Sequence, residues 1–254
     1  MKRLRGLIVA DPAIVLATIF FGTISLLVSF FDNEGKAQCA VARVWGRVLL
    51  AVSGVKVNVE GLEHIRPDAS YVVSANHLSY MDTPVMLANI PVQFRFLAKR
   101  GLFQIPLLGT HLARAGHIPV PREDPRAAVK TMQTAAEVIR QKGISLLIFP
   151  EGGRSHDGQL RPFKEGGAYI AIRAGVPLLP AVLLGTRDVL PYGAAAVRPG
   201  HVTLRILKPI ETGSLTLKDR GALTNELRRV ILHELQAESA SQISPVAVKP
   251  QTVS

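Results

Sequence analysis

The residues best suited to acid–base chemistry are His77 and Asp82, which stand five positions apart directly after an apolar run, Tyr71–Ala75. A neutral imidazole can take a proton from an alcohol near neutral pH, and it does so better when its second nitrogen donates to a carboxylate. On a regular helix, residues five apart point about 140° away from each other. The spacing therefore predicts a general base and its orienting partner only if a tight turn joins them.

Other interpretations of this segment stay open. A His–Asp pair can also be a metal-ligand pair or a structural hydrogen bond. No third His, Cys or carboxylate clusters nearby in the sequence, which disfavours a metal site and leads us to expect none. Ser79 is a candidate nucleophile, but it lacks the G-x-S-x-G setting of such a residue, so we expect it to be a turn residue.

A second segment, Phe149–Ser155, follows another apolar run and supplies groups that suit an anion. Gly152 and Gly153 would let backbone N–H groups approach a phosphate closely, and Arg154 offers a planar guanidinium with paired donors. The Glu151 carboxylate would repel an anion unless other groups already hydrogen-bond to it, so we expect it to accept from a backbone group or a substrate hydroxyl. The alternative for the two glycines is simply a turn.

Lys99 and Arg100 follow the predicted strand Phe94–Ala98 and can reach the same anion, although a solvated pair of cations is an equal alternative. Ligands of α/β sheets bind beyond the carboxyl ends of strands. Both His77 and Glu151–Arg154 come at such ends. Together, a proton acceptor and an anion cradle favour transfer of an acyl group to a hydroxyl of a phosphorylated substrate.

Strands alternate with helices along most of the chain, which predicts an α/β fold with a mixed, largely parallel sheet flanked by helices. One helix, Arg126–Gln141, begins after Asp124-Pro125, a capping residue and a first-turn proline, and stops at Gly143. The other expected helices are Leu102–Ala115, Gly166–Ala174 and Lys218–Glu238. The other expected strands are Val55–Val59, Tyr71–Ala75, His117–Val120, Ile144–Phe149, Leu178–Leu184 and His201–Leu207.

Composition narrows the classes of partner. The chain has 254 residues, is 48% hydrophobic and carries a formal net charge of +11, which fits nucleic acid, an anionic lipid surface or a phosphorylated substrate. No RNP-like motif, zinc-finger spacing or basic helix is present, so we expect no nucleic-acid partner. The sequence also lacks the glycine-rich motifs of dinucleotide and NTP sites. The single Cys39 excludes an intrachain disulfide and fits a reducing compartment.

The N-terminal segment is apolar enough to meet a membrane. Residues Pro12–Phe31 carry no charge and match the length of about 20 residues that spans a bilayer. Residues Lys36–Val52 then show an amphipathic pattern typical of an interfacial helix. The basic residues that precede them, at positions 2, 3 and 5, resemble a signal-peptide start, but no small-residue cleavage site follows.

Two membrane topologies are compatible with this pattern, a spanning first helix and a helical hairpin that dips into one leaflet. Basic residues flank both ends, which favours the hairpin. A buried core helix is the remaining alternative. The predicted organisation is a membrane-associated helical hairpin over residues 1–53, an α/β domain over 54–238 and a flexible tail over 239–254.

Four ordered motifs resemble those of the glycerolipid acyltransferase family, and within it the 1-acyl-sn-glycerol-3-phosphate acyltransferases. The resemblance runs from about residue 55 to residue 210. The motifs are Asn76-His77-x4-Asp82; Phe96–Leu102 with Ile105-Pro106 and Gly109; Phe149–Ser155 followed by Pro162-Phe163-Lys164-x-Gly166; and Val176–Ala181.

The resemblance implies transfer of a fatty acyl group from acyl-CoA or acyl-carrier protein to the 2-hydroxyl of lysophosphatidic acid, giving phosphatidic acid. It implies that His77 is the general base and Asp82 its orienting partner, and that Lys99 and Arg154 contact the acceptor phosphate. Glu151 and Gly152 would belong to the acceptor site. No cofactor beyond the donor substrate is expected. The implied location is the cytoplasmic face of the inner (plasma) membrane, at an anionic lipid surface.

This sequence departs from the family pattern at two positions that touch acceptor recognition. Gly153 stands where the family usually has Thr, and Gly101 stands where its second motif often has Glu. Another lyso-lipid or glycerol-3-phosphate is therefore the alternative acceptor. A hydrolase that uses water, and a non-catalytic protein that binds anionic lipid, are the more distant alternatives.

Overall fold

The computed structural model describes residues 6–32, 34–121 and 124–243. Within them the chain forms one seven-stranded sheet. Its strands are β1 Val55–Glu60, β2 Val72–Ala75, β3 Phe94–Lys99, β4 Ile118–Val120, β5 Ser145–Ile148, β6 Leu178–Leu184 and β7 Gly200–Ile206. Their spatial order is β1-β7-β6-β2-β5-β3-β4, and all neighbours are parallel except β6 and β7. The predicted mixed, largely parallel sheet is confirmed.

Helices cover both faces of this sheet. They are α1 Asp11–Val28, α2 Lys36–Ser53, α3 Asp82–Asn89, α4 Leu108–Arg114, α5 Pro125–Lys142, α6 Gly166–Ala174, α7 Thr186–Val189 and α8 Arg220–Ile243. Successive side chains of a strand point to opposite faces, so Val72 packs into one apolar cluster with α5, α6 and α8, whereas Val73 packs into another with α2 and α3. Strands β2 and β5 are fully buried, as central parallel strands must be.

Most predicted elements agree with the structure to within a few residues, and Asp124 caps α5 as expected, accepting from the N–H groups of Arg126 and Ala127. The expected helix Leu102–Ala115 is wrong in its first half. The chain instead forms a 3₁₀ turn, Arg100–Gln104, and α4 starts only at Leu108. Pro106 lacks an N–H, and Leu107 combines a positive φ of 63° with a ψ of −54°, so a continuous right-handed helix cannot pass through them.

The last helix is longer than expected and ends at Ile243 rather than Glu238. No Gly or Pro stands between Gly221 and Pro245 to stop it, and the Ser239 hydroxyl donates to the Leu235 carbonyl instead of breaking the helix. The remainder of the predicted tail, from residue 244, lies outside the described residues. The basic residues predicted to flank the first helix, at positions 2, 3 and 5, lie outside them as well.

The two N-terminal helices form an antiparallel hairpin. The Trp45 indole donates to the Thr18 hydroxyl at 3.2 Å, and the Gln38 amide donates to the Ser25 hydroxyl at 3.5 Å, so the middles of the two helices meet and the start of α2 meets the end of α1. Helix α2 packs against α3 at Gly46, where an added Cβ would lie 2.9 Å from the Pro84 carbonyl oxygen. The hairpin is therefore attached to the domain through α2.

The outer face of α1 is apolar and open. Helical residues Ile8–Val28 are long and apolar enough to cross a membrane by length and composition, and only 6% of their most apolar window is buried. This exposure contradicts the alternative of a buried core helix. In the described part of the chain, this is the one helix that passes that test, because α2 is amphipathic rather than apolar throughout.

Both ends of α1 contact the rest of the domain. At its start, the Asp11 carboxylate accepts from the Val197 N–H at 3.2 Å. At its end, the Ser25 hydroxyl lies 3.0 Å from the His111 Nδ1, and the Arg114 guanidinium donates to the Ser29 hydroxyl at 2.6 Å. The helix therefore lies along the domain instead of projecting from it.

Candidate active site

His77 and Asp82 are joined by the tight turn that their spacing requires. The His77 Nδ1 lies 2.7 Å from Asp82 Oδ2, and the same oxygen accepts from the Leu78 N–H at 2.7 Å and the Ser79 N–H at 2.9 Å. Asp82 is fully buried and is the first residue of α3. The predicted hydrogen-bonded pair is thus formed, with its carboxylate oxygen fixed by three donors.

This arrangement selects one tautomer of His77. Because Asp82 Oδ2 is an acceptor already held by two backbone N–H groups, the Nδ1 atom must carry the proton and donate. The other nitrogen, Nε2, is left as an acceptor. The His77 side chain is 17% exposed and lines a pocket. The imidazole stacks on the Phe149 ring, with centroids 4.0 Å apart and planes 13° apart, so its orientation is fixed from two directions.

The turn is anchored to the sheet by its neighbours. The buried Asn76 amide donates to the Leu183 carbonyl at 2.9 Å and accepts from the Leu183 N–H at 2.8 Å, so it continues the β2–β6 pairing where β2 ends. The Ser79 hydroxyl donates to the Leu190 carbonyl at 2.8 Å and accepts from the Met81 N–H. Ser79 is fully buried, and it has the geometry expected of a turn residue rather than of an accessible nucleophile.

Glu151 joins the second segment to the first. One of its carboxylate oxygens accepts from the His77 N–H at 2.7 Å, and the other accepts from the Arg161 N–H at 3.0 Å. Burial raises the pKa of this carboxyl, and the two N–H donations oppose that rise. The Ser155 N–H also donates to the His77 carbonyl at 2.9 Å. Of the two roles expected for Glu151, the structure supports that of holding a backbone.

The glycine turn lies beside the same pocket. Gly152 adopts a φ of 73°, and an added Cβ there would lie 3.1 Å from the Lys164 Nζ. Gly152, Gly153, Lys99 and Lys164 all line the pocket. Lys164 was not selected as a site residue from the sequence, although it belongs to the extended third motif. Its contact with the glycine turn depends on the Lys164 N–H donating to the Pro150 carbonyl, a return of the chain that spacing alone does not reveal.

The two cations that follow β3 separate. Lys99 ends the strand and lines the pocket with an exposed side chain. Arg100 opens the 3₁₀ turn, is also exposed, and is not among the residues that line this pocket. The structure therefore brings Lys99 to the site and leaves Arg100 at its margin.

The Arg154 guanidinium packs against two tyrosines. Its guanidinium carbon is 3.4 Å from the centre of the Tyr80 ring and 4.7 Å from the centre of the Tyr192 ring. Tyr80 belongs to the turn between His77 and Asp82, so Arg154 adjoins the imidazole segment. Neither tyrosine was expected to be functional from the sequence, since their approach to Arg154 depends on three separate loops.

The pocket itself is largely apolar and has a volume of about 380 Å³. His77, the glycine turn and the two lysines form its polar part. Its apolar lining includes Phe96, Leu97, Leu112, Val120, Met132 and Ile148. Within the described ranges, no group of three or more His, Cys, Asp and Glu side chains could hold a metal ion. The arrangement suits a chain-like apolar ligand whose reacting end meets an imidazole and cations.

A hydrogen-bonded His–Asp turn and a glycine–arginine loop thus meet at the carboxyl ends of the neighbouring strands β2 and β5. The family model described as "Acyltransferase" matches residues 56–184 of this chain, and the chain belongs to that family.

Two relatives and one solved structure illustrate the similarity. A chloroplastic 1-acyl-sn-glycerol-3-phosphate acyltransferase of Brassica napus is 34% identical over 82% of this chain and 62% of its own length. One of Chlamydomonas reinhardtii is 30% identical over 96% of this chain and 74% of its own. The crystal structure of the LPA acyltransferase PlsC from Thermotoga maritima superposes with a TM-score of 0.78 at 28% identity, covering 94% of this chain and 98% of that one. The chain spans about 60% of the length of the first curated relatives that it matches.

Proposed function

We propose that the protein transfers a fatty acyl group from a thioester donor to the 2-hydroxyl of lysophosphatidic acid, giving phosphatidic acid. The observation that carries this proposal is the His77 Nε2 at an apolar pocket, with its other nitrogen bonded to Asp82 and with Lys99, Lys164 and the glycine turn alongside. The relatives named 1-acyl-sn-glycerol-3-phosphate acyltransferase support the same acceptor.

The donor is acyl-CoA or acyl-carrier protein, and no further cofactor takes part. The apolar pocket of about 380 Å³ provides room for part of a fatty acyl chain beside His77. Burial of each methylene is worth about 0.8 kcal/mol, which favours a chain over a polar donor group. The acyl carbonyl would then lie at the polar end of the pocket, near the imidazole.

In the reaction, the acceptor oxygen attacks the thioester carbonyl while its proton passes to His77 Nε2. A C–O bond forms, the C–S bond breaks, and the proton held by His77 returns to the departing thiolate. Asp82 stabilises the imidazolium in between, because its carboxylate faces Nδ1. No covalent acyl-enzyme is required.

The remaining site residues hold the acceptor or its loop. Lys99 and Arg154 bind the phosphate, assisted by N–H groups of Gly152 and Gly153. Lys164, which contacts the glycine turn, adds a third cation. Arg100 contributes a more distant positive charge, and Glu151 fixes the His77 backbone.

The protein acts at an anionic lipid surface, on the cytoplasmic face of the inner membrane. Contacts at both ends of α1, through Asp11 and through Ser25 and Ser29, favour a hairpin seated in one leaflet over a spanning helix. The open apolar face of α1 is the surface that enters the lipid.

The test uses purified full-length protein in mixed micelles with labelled oleoyl-CoA. The acceptors are lysophosphatidic acid, monoacylglycerol, glycerol-3-phosphate and a lyso-ornithine lipid. We expect phosphatidic acid from the first acceptor, and a lower kcat/KM with all others. His77→Ala should lose at least about 100-fold in kcat, the lower end of what a general base supplies.

The matched control is His233→Ala, which removes an exposed histidine on α8 away from the pocket. It should retain the parent activity. Equal activity with and without the acceptor phosphate would refute lysophosphatidic acid as the substrate. Acyl release without any acceptor would favour the hydrolase alternative, and lipid binding without turnover by the parent would favour the non-catalytic one.

A further inference from the structure

Two aromatic rings pack against the Arg154 guanidinium. Its carbon lies 3.4 Å from the centre of the Tyr80 ring and 4.7 Å from the centre of the Tyr192 ring. Both rings remain at the surface, with Tyr80 66% exposed and Tyr192 42% exposed. We refer to Tyr80 and Tyr192 together as the aromatic clamp.

A guanidinium held in this way keeps its hydrogen-bond donors available. Its five N–H groups point outward in the plane of the group, whereas an aromatic ring 3.4 Å from the guanidinium carbon contacts a face of the group and not its edge. Among the described residues, no acceptor hydrogen-bonds to the Arg154 side chain, and no carboxylate pairs with it. The clamp thus restricts the orientation of a cation whose donors the described residues leave unused.

Different contacts hold the Tyr80 ring and the Tyr192 ring in place. Tyr80 lies in the turn closed by Asp82, and the Ser79 hydroxyl bonds to the Leu190 carbonyl, which brings the segment leading to Tyr192 onto that turn. Tyr192 also stacks on the His156 ring, with centroids 3.8 Å apart and planes 21° apart. Successive ring contacts therefore link the four side chains Tyr80, Arg154, Tyr192 and His156.

We propose that Tyr80 and Tyr192 are positioning residues that orient Arg154 toward the anionic headgroup of the acceptor, and so set the preference for a phosphorylated acceptor over a neutral one. The inference rests on the proposed function for the identity of that acceptor. A free arginine side chain must lose rotamer freedom when it binds a phosphate, and the clamp removes most of that loss in advance. Neither tyrosine takes part in proton transfer.

The test replaces each ring by an aliphatic side chain or by phenylalanine, in Tyr80→Leu, Tyr192→Leu, Tyr80→Phe and Tyr192→Phe, each made in the parent and in Arg154→Ala. Steady-state kinetics are measured for lysophosphatidic acid, monoacylglycerol and oleoyl-CoA. In the parent background, each Leu variant should raise the KM for lysophosphatidic acid about 10-fold, with smaller changes in kcat and in the donor KM. Each Phe variant should recover most of that loss, because the ring faces remain.

The double variants separate positioning from general damage. In the Arg154→Ala background, the Leu substitutions should raise the acceptor KM no further, and discrimination against monoacylglycerol should already be lost. A Leu variant that lowers kcat at unchanged KM, or that acts equally in both backgrounds, would overturn the proposal. Tyr192→Leu is the control for distortion of the turn at Tyr80, because Tyr192 lies outside the His77–Asp82 segment.

A spectroscopic measurement keeps the clamp testable if the parent fails to acylate lysophosphatidic acid. In protein labelled with ¹⁵N-arginine, the Arg154 Nε–H signal is assigned by its loss in Arg154→Ala. Ring currents should shift that signal upfield in the parent and both Phe variants, but less in the Leu variants. Added sn-glycerol 3-phosphate should move the signal in the parent at a concentration about 10-fold lower than in Tyr192→Leu. An unshifted parent signal, or equal titration in both proteins, would refute the clamp independently of the acyl acceptor.

Discussion

Replacement of Asp82 by Asn removes a negative charge from the buried side of His77 while changing the shape of the side chain very little. Asp82 Oδ2 accepts from the His77 Nδ1, the Leu78 N–H and the Ser79 N–H, whereas Oδ1 is buried and has no hydrogen-bond partner among the described residues. In Asp82→Asn, the two backbone donors select the amide oxygen for the Oδ2 position. The amide NH₂ then takes the unpartnered position, and His77 keeps its proton on Nδ1.

The expected loss is therefore electrostatic, without a change of tautomer. Exchange of an ionic for a neutral hydrogen bond to the imidazolium should cost about 1–3 kcal/mol in the transition state, or roughly 5- to 150-fold in kcat. His77→Ala removes the base itself, which is worth roughly 100- to 10,000-fold. Asp82→Asn should accordingly remain measurably more active than His77→Ala.

The assay follows release of free thiol from oleoyl-CoA at saturating lysophosphatidic acid, with equal amounts of folded protein checked by thermal unfolding. Asp82→Ala serves as the comparison, because it leaves three N–H donors without an acceptor and should be both less active and less stable than Asp82→Asn. Parent-like activity of Asp82→Asn would refute a role for the carboxylate charge. Activity as low as that of His77→Ala would refute the inference that the backbone donors preserve the tautomer.

Three further perturbations address the surroundings of the site. Glu151→Gln offers an oxygen to only one of the two N–H groups that donate to the carboxylate, those of His77 and Arg161, so kcat should fall about 10-fold because the His77 segment is misplaced. Removal of the buried charge should keep the melting temperature within a few degrees of that of the parent. An unchanged kcat would contradict the role of Glu151 in holding the His77 backbone. Asn76→Leu leaves the N–H and carbonyl of Leu183 unsatisfied, and urea unfolding should report a loss of about 2–6 kcal/mol; a loss below about 1 kcal/mol would show that other groups replace the amide. Burial lowers the pKa of His117 from 6.5 to about 3, so the stability that the neutral ring contributes is complete above pH 6.5 and falls by up to about 1.4 kcal/mol per pH unit as the pH drops toward 3. Between about pH 6.5 and pH 5, the unfolding free energy of His117→Gln should therefore depend less steeply on pH than that of the parent. An identical dependence in both proteins would exclude His117 as its source.

The parts of the site that the sequence predicts are those held by local contacts. The His77 turn closes within six residues, so the pairing of His77 with Asp82 follows from spacing and residue type, whereas the donation from the Leu78 and Ser79 N–H groups is seen only in the structure. The carboxyl ends of β2 and β5 are brought together by the parallel sheet, which the alternation of strands and helices already indicates. For these reasons the meeting of His77 with Glu151 follows from general rules.

The parts that the sequence does not predict depend on contacts between distant loops. Tyr192 reaches Arg154 through the β6–β7 connection, and no periodicity marks that residue as functional. Lys99 and Arg100 are adjacent in sequence and of the same charge, yet only Lys99 lines the pocket, because the strand ends between them. The break before α4 depends on Leu107, whose residue type gives no sign of a positive φ.

The backbone of His77 is clasped on both sides by the loop that would meet the acceptor, with its N–H bonded to Glu151 and its carbonyl bonded to the Ser155 N–H. Any movement of that loop when a ligand binds must therefore also move the His77 imidazole. Under the proposed function, occupancy of the acceptor site and placement of the imidazole are therefore mechanically linked.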